Sequence, residues 1–287
     1  MDALDEKEII EGSLVIIGNG FDLAHNLKTS FSDFRTWLLE HGQKDFVQSM
    51  ENIFYRLHGM DENNLWSDFE SALGSVDIDM LHSLYQEDHK GKDVYEDVIE
   101  RIVLSIRGKF TDWINDINTQ LFQPKLSLPK SAYYLSFNYT DTLETLYEIP
   151  KANICYIHGC QKSKDKLVYG CLNDPIPLSV LDKEETDDLQ YLVRYKTAEL
   201  LNNGLKKNTS EIIAINKKFL EGLGNIKDVF VIGHSLAEVD WPYFNEIRKY
   251  IAKDAKWQIS YHSMIEKIRL QSSSLFIGQQ NVQFKRF

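Results

Sequence analysis

No run of about 18 apolar residues occurs anywhere in the 287-residue chain, so no membrane-spanning helix is expected. Cysteine is scarce. Cys155, Cys160 and Cys171 are the full complement, and none pairs with another at a C-x-x-C spacing. A disulfide framework and a zinc ribbon are therefore not expected, and a reducing, cytoplasmic setting fits best. The opening MDALDEKEIIEG is acidic where a secretory signal would be basic and then apolar, so no such signal is expected. Basic excess is lacking as well. A net charge of −11 argues against any broad nucleic-acid surface.

That charge is unevenly spread. Positions 1–100 hold 22 Asp+Glu against 7 Lys+Arg, whereas positions 248–287 hold 8 Lys+Arg against 2 Asp+Glu. The acidity thus describes one stretch of the chain and does not exclude a small anionic ligand. Backbone amides at a glycine turn hold phosphate without contributing to net charge. The chain is long enough to bury a core without disulfides or metals.

The periodicity changes several times. Leu14-Val15-Ile16-Ile17 and Val229-Phe230-Val231-Ile232 are short apolar runs ending in glycine, as expected of buried strands. Ala132–Phe137, Ile154–Ile157, Leu167–Tyr169 and positions 257–261 also read as strands. Val94, Val98, Ile102, Ile106, Phe110, Trp113, Ile117 and Leu121 recur three or four apart, forming one apolar stripe along a helix. Asp141–Tyr147 reads as a short helix capped by Asp141, and a further helix is expected over 241–252. The expected fold is a mostly parallel, Rossmann-like α/β sheet flanked by helices. It forms one elaborated domain over 1–287, with a helical insertion over 36–125 after the first strand and a second over 185–222.

Ligands of such sheets bind at the carboxyl ends of the strands, where four unusual sequences lie. Gly18-Asn19-Gly20-Phe21-Asp22 follows the first strand; it is a phosphate cradle or a tight turn without a ligand. Leu23 stands where a dehydrogenase fingerprint needs a third glycine, which excludes that dinucleotide fold. Asn138, in Ser136-Phe137-Asn138-Tyr139-Thr140-Asp141, is able to orient a ribose hydroxyl or a water, or to cap a turn. His158, in Ile157-His158-Gly159, is a base or a structural histidine. Gly233-His234-Ser235-Leu236, followed by Asp240, nearly matches the nucleophile elbow of serine hydrolases. That elbow needs a helix starting at once, whereas here Asp240 and Pro242 place the helix start later.

Taken in order, these blocks resemble the abortive-infection AbiH family of bacterial phage-defence proteins. The resemblance includes Gly18–His25, Thr29–Phe34, Trp66-Ser67-Asp68-Phe69-Glu70 and the three later motifs, spanning about 14–250. More distantly, the layout is similar to the sirtuin-like NAD-binding domain, through Gly18-Asn19-Gly20, Ser32-Asp33-Phe34-Arg35, Asn138, His158-Gly159 and Gly233-His234-Ser235. The zinc-binding cysteines of sirtuins are absent, and with them any case for a protein deacetylase.

The resemblance implies NAD as substrate or ligand, with no required cofactor and no metal. His158 would be the base and Asn138 the group that positions water or ribose. Gly18, Asn19 and Gly20 would hold the pyrophosphate, and Ser235 a ribose or phosphate. Phe21, Asp22, His25, Gly233 and Asp240 would join the site, and Phe34 would cover the nicotinamide. Bland readings stand beside these: Asp22 as a helix-start acid, His25 as a surface or core histidine, Phe34 as helix core. Three functions follow as expectations: a nucleotide-consuming defence effector that cleaves the N-glycosidic bond of NAD, a non-catalytic nucleotide sensor or partner-binding module, and a serine hydrolase using Ser235. The partners expected are an NAD-like nucleotide and either a second copy of the chain or another defence protein.

Overall fold

In a computed structural model, the chain is described over residues 9–55, 66, 69–74, 76, 81, 92–163, 166–178, 181, 188–224, 226–277 and 281–286. Its strands are β1 (Leu14–Ile17), β2 (Tyr133–Ser136), β3 (Ile154–Tyr156), β4 (Asp228–Ile232), β5 (Lys256–Tyr261) and β6 (Val282–Arg286). They form one sheet in the order β3-β2-β1-β4-β5-β6, and every pairing is parallel. The described helices are α1 (Asn19–Ala24), α2 (Phe31–Glu40), α3 (Lys44–Tyr55), α4 (Phe69–Leu73), α5 (Lys92–Asp116), α6 (Thr142–Thr145), α7 (Asp188–Leu205), α8 (Thr209–Ile215), α9 (Lys217–Glu221), α10 (Trp241–Tyr250) and α11 (Met264–Ser273). This is the expected Rossmann-like α/β sheet flanked by helices. Among the described residues, no helix is long and apolar enough to cross a membrane.

Two compact units divide the chain. The sheet unit comprises Met1–Thr29, Ile114–Leu167 and Asn208–Phe287, and the helical unit Ser30–Trp113 and Val168–Lys207. In the sheet unit, β1 is buried at all four positions because a parallel sheet is covered on both faces. Val15, Ile17, Tyr134, Phe230 and Ile232 line one face and pack with Phe21, Leu143 and Tyr147. Strand order reverses direction between β1 and β4, which leaves the loops after those two strands side by side.

The helical unit is held by aromatic side chains. Phe34 is fully buried, its ring 5.0 Å from Trp113, 5.8 Å from Phe110 and 6.0 Å from both Trp66 and Phe69. Ser30 and Asp33 close a reciprocal cap at the start of α2. Arg35 pairs with Glu51 at 2.8 Å, and Glu51 also accepts from the Trp66 indole at 3.0 Å.

Some sequence expectations change. Helix α5 ends at Asp116, because Asn118 caps a separate 3-10 turn over Thr119–Leu121. Ile117 and Leu121 therefore fall outside the helix, and Leu121 is exposed. The side chains of Val94 and Val98, like Ser67 and Asp68, lie outside the described residues. Leu167–Tyr169 is not a strand. The extended Gly170, at φ +141°, leads into a single bridge between Cys171 and Lys206. Asp141 precedes α6 but its side chain makes no cap bond. Instead it accepts from Thr119, Thr145 and Gln161 and pairs with Lys162, which holds its carboxyl below the usual range despite burial. Strand β6 and helix α11 were not anticipated from the sequence.

Removing the Phe34 ring leaves a cavity with four aromatic walls. Phe34→Ala should cost ~3–5 kcal/mol. The expected readout is an earlier denaturant midpoint, followed through tryptophan fluorescence, which the adjacent Trp66 and Trp113 report.

Candidate functional site

The register of the sheet places the candidate residues. Ile17, Ser136, Tyr156 and Ile232 are cross-strand partners and also the last residues of β1, β2, β3 and β4. Pairing continues one residue further: Phe137 N–H donates to Ile17 O at 2.9 Å, Ile157 N–H to Ser136 O at 3.0 Å, and Gly18 N–H to Ile232 O at 3.0 Å. Two residues beyond each strand end stand Asn19, Asn138, His158 and His234. One register therefore lines up four polar side chains along the carboxyl edge of the sheet.

The glycines around this row serve a close backbone approach. Gly20 N–H donates to Gly233 O at 2.8 Å, so the turns after β1 and β4 are joined directly. A Cβ on Gly18 would lie 2.5 Å from His234 Cα, and one on Gly233 would lie 2.2 Å from Phe21 N. Gly233 also has φ +64°, in the left-handed region that favours glycine. Its own N–H donates to Ser260 Oγ at 2.9 Å, tying the turn to β5. Two of the three amides expected to cradle a pyrophosphate, those of Gly18 and Gly20, thus donate to main-chain carbonyls. The Asn19 side chain donates to Thr29 O at 3.0 Å and is exposed.

Behind the seam lies a buried group of ionisable side chains. Asp240 Oδ2 is 3.5 Å from His234 Nε2, and Asp240 Oδ1 is 3.9 Å from His158 Nε2. Both histidines and the aspartate are buried. The Phe137 ring lies edge-on to both imidazoles, at 4.3 Å from His234 and 5.3 Å from His158, while Tyr139 and Tyr243 flank His158. Asp240 occupies the N-cap position of α10, as expected, but its side chain makes no cap bond. Its two oxygens instead face the two imidazoles.

A second buried acid lies on α1. Asp22 accepts from Thr140 Oγ1 at 2.5 Å and from Thr142 Oγ1 at 2.9 Å. Burial raises its carboxyl to about 6; the bonds from Thr140 and Thr142 and the neighbouring Asn138 amide pull down, and Asp141 pushes further up. Asn138 is only 5% exposed and its amide lies near enough to Asp22 to help hold that carboxyl down, yet among the described residues neither its amide nitrogen nor its oxygen has a partner at full hydrogen-bond geometry. A buried carboxamide left open in this way is costly unless something else binds it.

The family whose model matches the chain is described as bacteriophage abortive infection AbiH, and the match covers residues 14–261. The chain belongs to the AbiH family. Membership assigns it a role in bacteriophage abortive infection. No curated protein matches the chain. The matched range contains the seam and the buried acids, which are thus part of the family's segment.

The other expected residues have different surroundings. His25 donates from Nδ1 to Phe21 O and accepts at Nε2 from Tyr147, both at 2.7 Å. Burial lowers its affinity for a proton, so it is a neutral core histidine that ties α1 to the chain after α6. Phe21 packs in the core beside it. Phe34 belongs to the aromatic core of the helical unit, where its ring is covered by other side chains. Ser235 is half-buried, but α10 begins six residues later, and His262, the histidine a hydrolase would need, is paired with Glu266 at the start of α11. The strand–turn–helix of a nucleophile elbow is absent. His234, Thr140, Thr142 and Tyr243 were not read as site residues. For His234 a signal existed, since it stands as far past its apolar run as Asn138 and His158 do past theirs.

Two stability tests follow. Gly233→Ala combines a strained φ with a backbone clash and should cost at least ~2 kcal/mol, measured as a fall in Tm. For Asp22, the folded carboxyl is raised to about 6 from an ordinary value of 3.8. The folded state therefore holds its proton where the unfolded chain releases it, and the resulting stability is present below 3.8 and lost as pH rises through 6. Asp22→Asn should thus be more stable than the wild type at pH 7, by ~1–3 kcal/mol, and the gap should close below about pH 4 in denaturant titrations.

Proposed function

We propose that the chain is an abortive-infection effector that hydrolyses the N-glycosidic bond of NAD. The observation that carries this reading is Asn138, buried beside the Asp22 carboxyl with neither amide atom in a full-geometry hydrogen bond among the described residues, and in register with His158. In the proposed reaction, water attacks C1′ of the nicotinamide-bearing ribose as the C–N bond breaks. The bonding pair returns to the pyridine nitrogen, and nicotinamide leaves uncharged. His158 accepts the proton from the attacking water, and Asp240 stabilises the imidazolium that forms. Asn138 orients the water or the ribose through one donor and one acceptor. Positive charge builds on the ribose in the transition state, and fixed negative groups in a water-poor site favour it. Asp22 and Asp240 are the buried carboxylates available for this.

The reading rests on the ribose and its glycosidic bond, not on a phosphate cradle. Gly18 and Gly20 have spent their amides on the seam, so the diphosphate must be held by other groups. Consumption of NAD would starve an infected cell, which is consistent with the family's role in abortive infection.

The test is nicotinamide release from NAD by the purified chain, with and without extract from phage-infected cells. The wild type should release nicotinamide. Asn138→Ala and His158→Ala should each lower the rate by ~10²–10⁴-fold while circular dichroism stays unchanged. Saturable nucleotide binding without any release under either condition would replace the enzyme with a nucleotide sensor or partner-binding module.

A further inference from the structure

The GHSL turn carries a residue whose chemistry is set by its own backbone. Leu236 N–H donates to His234 Nδ1 at 2.9 Å. A nitrogen that accepts a hydrogen bond carries no proton, so the ring hydrogen of His234 is on Nε2, the atom facing Asp240 Oδ2. The turn is built to keep this arrangement. Leu236 has φ +54°, a left-handed conformation that a leucine rarely adopts, and it is fully buried. Its carbonyl accepts from the Trp241 indole at 3.0 Å, which pins the turn to the first residue of α10. Asp240, one residue earlier, does not use its side chain as the N-cap of that helix.

From this geometry we infer that His234 is a positioning residue, a neutral donor that holds Asp240 so that its other oxygen faces His158. The inference rests on the reading of His158 as the base. A protonated His234 would lose the Leu236 bond and would share the carboxylate's charge between two cations. A neutral His234 fixes the carboxylate by direction alone and leaves its charge for the imidazolium that forms on His158. The separations of 3.5 and 3.9 Å are long for hydrogen bonds, as is common before a substrate closes a site. Among the described residues, the groups facing His158 include Asp240 from the 3-10 turn before α10, Tyr243 from α10, and Phe137 and Tyr139 from the segment after β2. Of these, Asp240 is the carboxyl group.

Two substitutions separate the two bonds of His234. Asparagine places an amide near the Nδ1 position and keeps an acceptor for Leu236, but it is too short to reach Asp240. Glutamine places a donor near the Nε2 position. The first readout needs no turnover: the titration of His158 in the full-length protein, followed by the NMR signal of its Cε1 proton. His234→Asn should lower the midpoint, because the carboxylate is no longer held toward His158, and His234→Gln should return it toward the wild-type value. The second readout is nicotinamide release. His234→Asn should lower kcat by at least about tenfold with KM within about threefold, and His234→Gln should recover most of that loss. A His158 midpoint that is unmoved or raised in His234→Asn overturns the inference, as does a glutamine variant indistinguishable from the asparagine one. So does direct NMR detection of protons on both ring nitrogens of wild-type His234 at neutral pH. If the wild type releases no nicotinamide, the proposed reaction fails, and the His158 titration still decides whether His234 positions Asp240.

Discussion

The sheet unit depends on a backbone contact at the point where its strand order reverses. The turns after β1 and β4 would normally diverge and leave a crevice. Here Gly18 and Gly20 press against Gly233 and His234, and main-chain hydrogen bonds cross between them. Side chains on those glycines would overlap backbone atoms, which cannot move without displacing a strand. The contact locks β1 and β4 in common register, and β2 and β3 extend the register outward. Asn138, His158 and His234 stand level with one another because of it. A motif that reads as a ligand-binding loop therefore first acts as a structural joint.

Burial then gives the aligned side chains their chemistry. Asp22, Asn138, His158, His234 and Asp240 are all largely removed from water. In such surroundings a charge survives only where bonds or opposite charge support it. Asp22 is buried and accepts from the hydroxyls of Thr140 and Thr142, with no cation paired to it among the described residues, so its carboxyl rises to about 6. Asp141, in the loop after β2, is paired with Lys162 and falls below the usual range although it too is buried. Two aspartates from neighbouring motifs thus differ in ionisation because one has a cation and the other does not. His25 and His234 make a similar contrast. Each accepts a hydrogen bond at one ring nitrogen, but His25 has both nitrogens satisfied within the core, and the other nitrogen of His234 faces a carboxylate.

Much of this was legible from residue order. Continuous apolar runs ending in glycine identified β1 and β4, and the four motifs at strand ends marked the edge where the candidate site lies. Other features were hidden for physical reasons. The partners of Asp22 and His25 lie more than a hundred residues away, and no local pattern announces them. Leu167–Tyr169 has the composition of a strand but pairs with no strand among the described residues, and the one bridge nearby is made by Cys171. Phe34, which matches an NAD-site position by resemblance, was equally consistent with helix core, and only its aromatic neighbours distinguish the two. Strand β6 is partly exposed along its length, so its apolar signal is weak.

Local chemistry in the sequence determined the absence of a long apolar run, the scarcity of cysteine, the buried-strand runs and the family. Each is a property of residue types and their spacing, which survive without a fold. Only the tertiary structure decided what the motif residues do. Whether a glycine frees an amide for phosphate or spends it on another turn depends on what lies opposite. Whether a histidine is a base, a donor or a core residue depends on which atoms meet its two nitrogens. These are contacts between distant parts of the chain, and the register of a parallel sheet sets them.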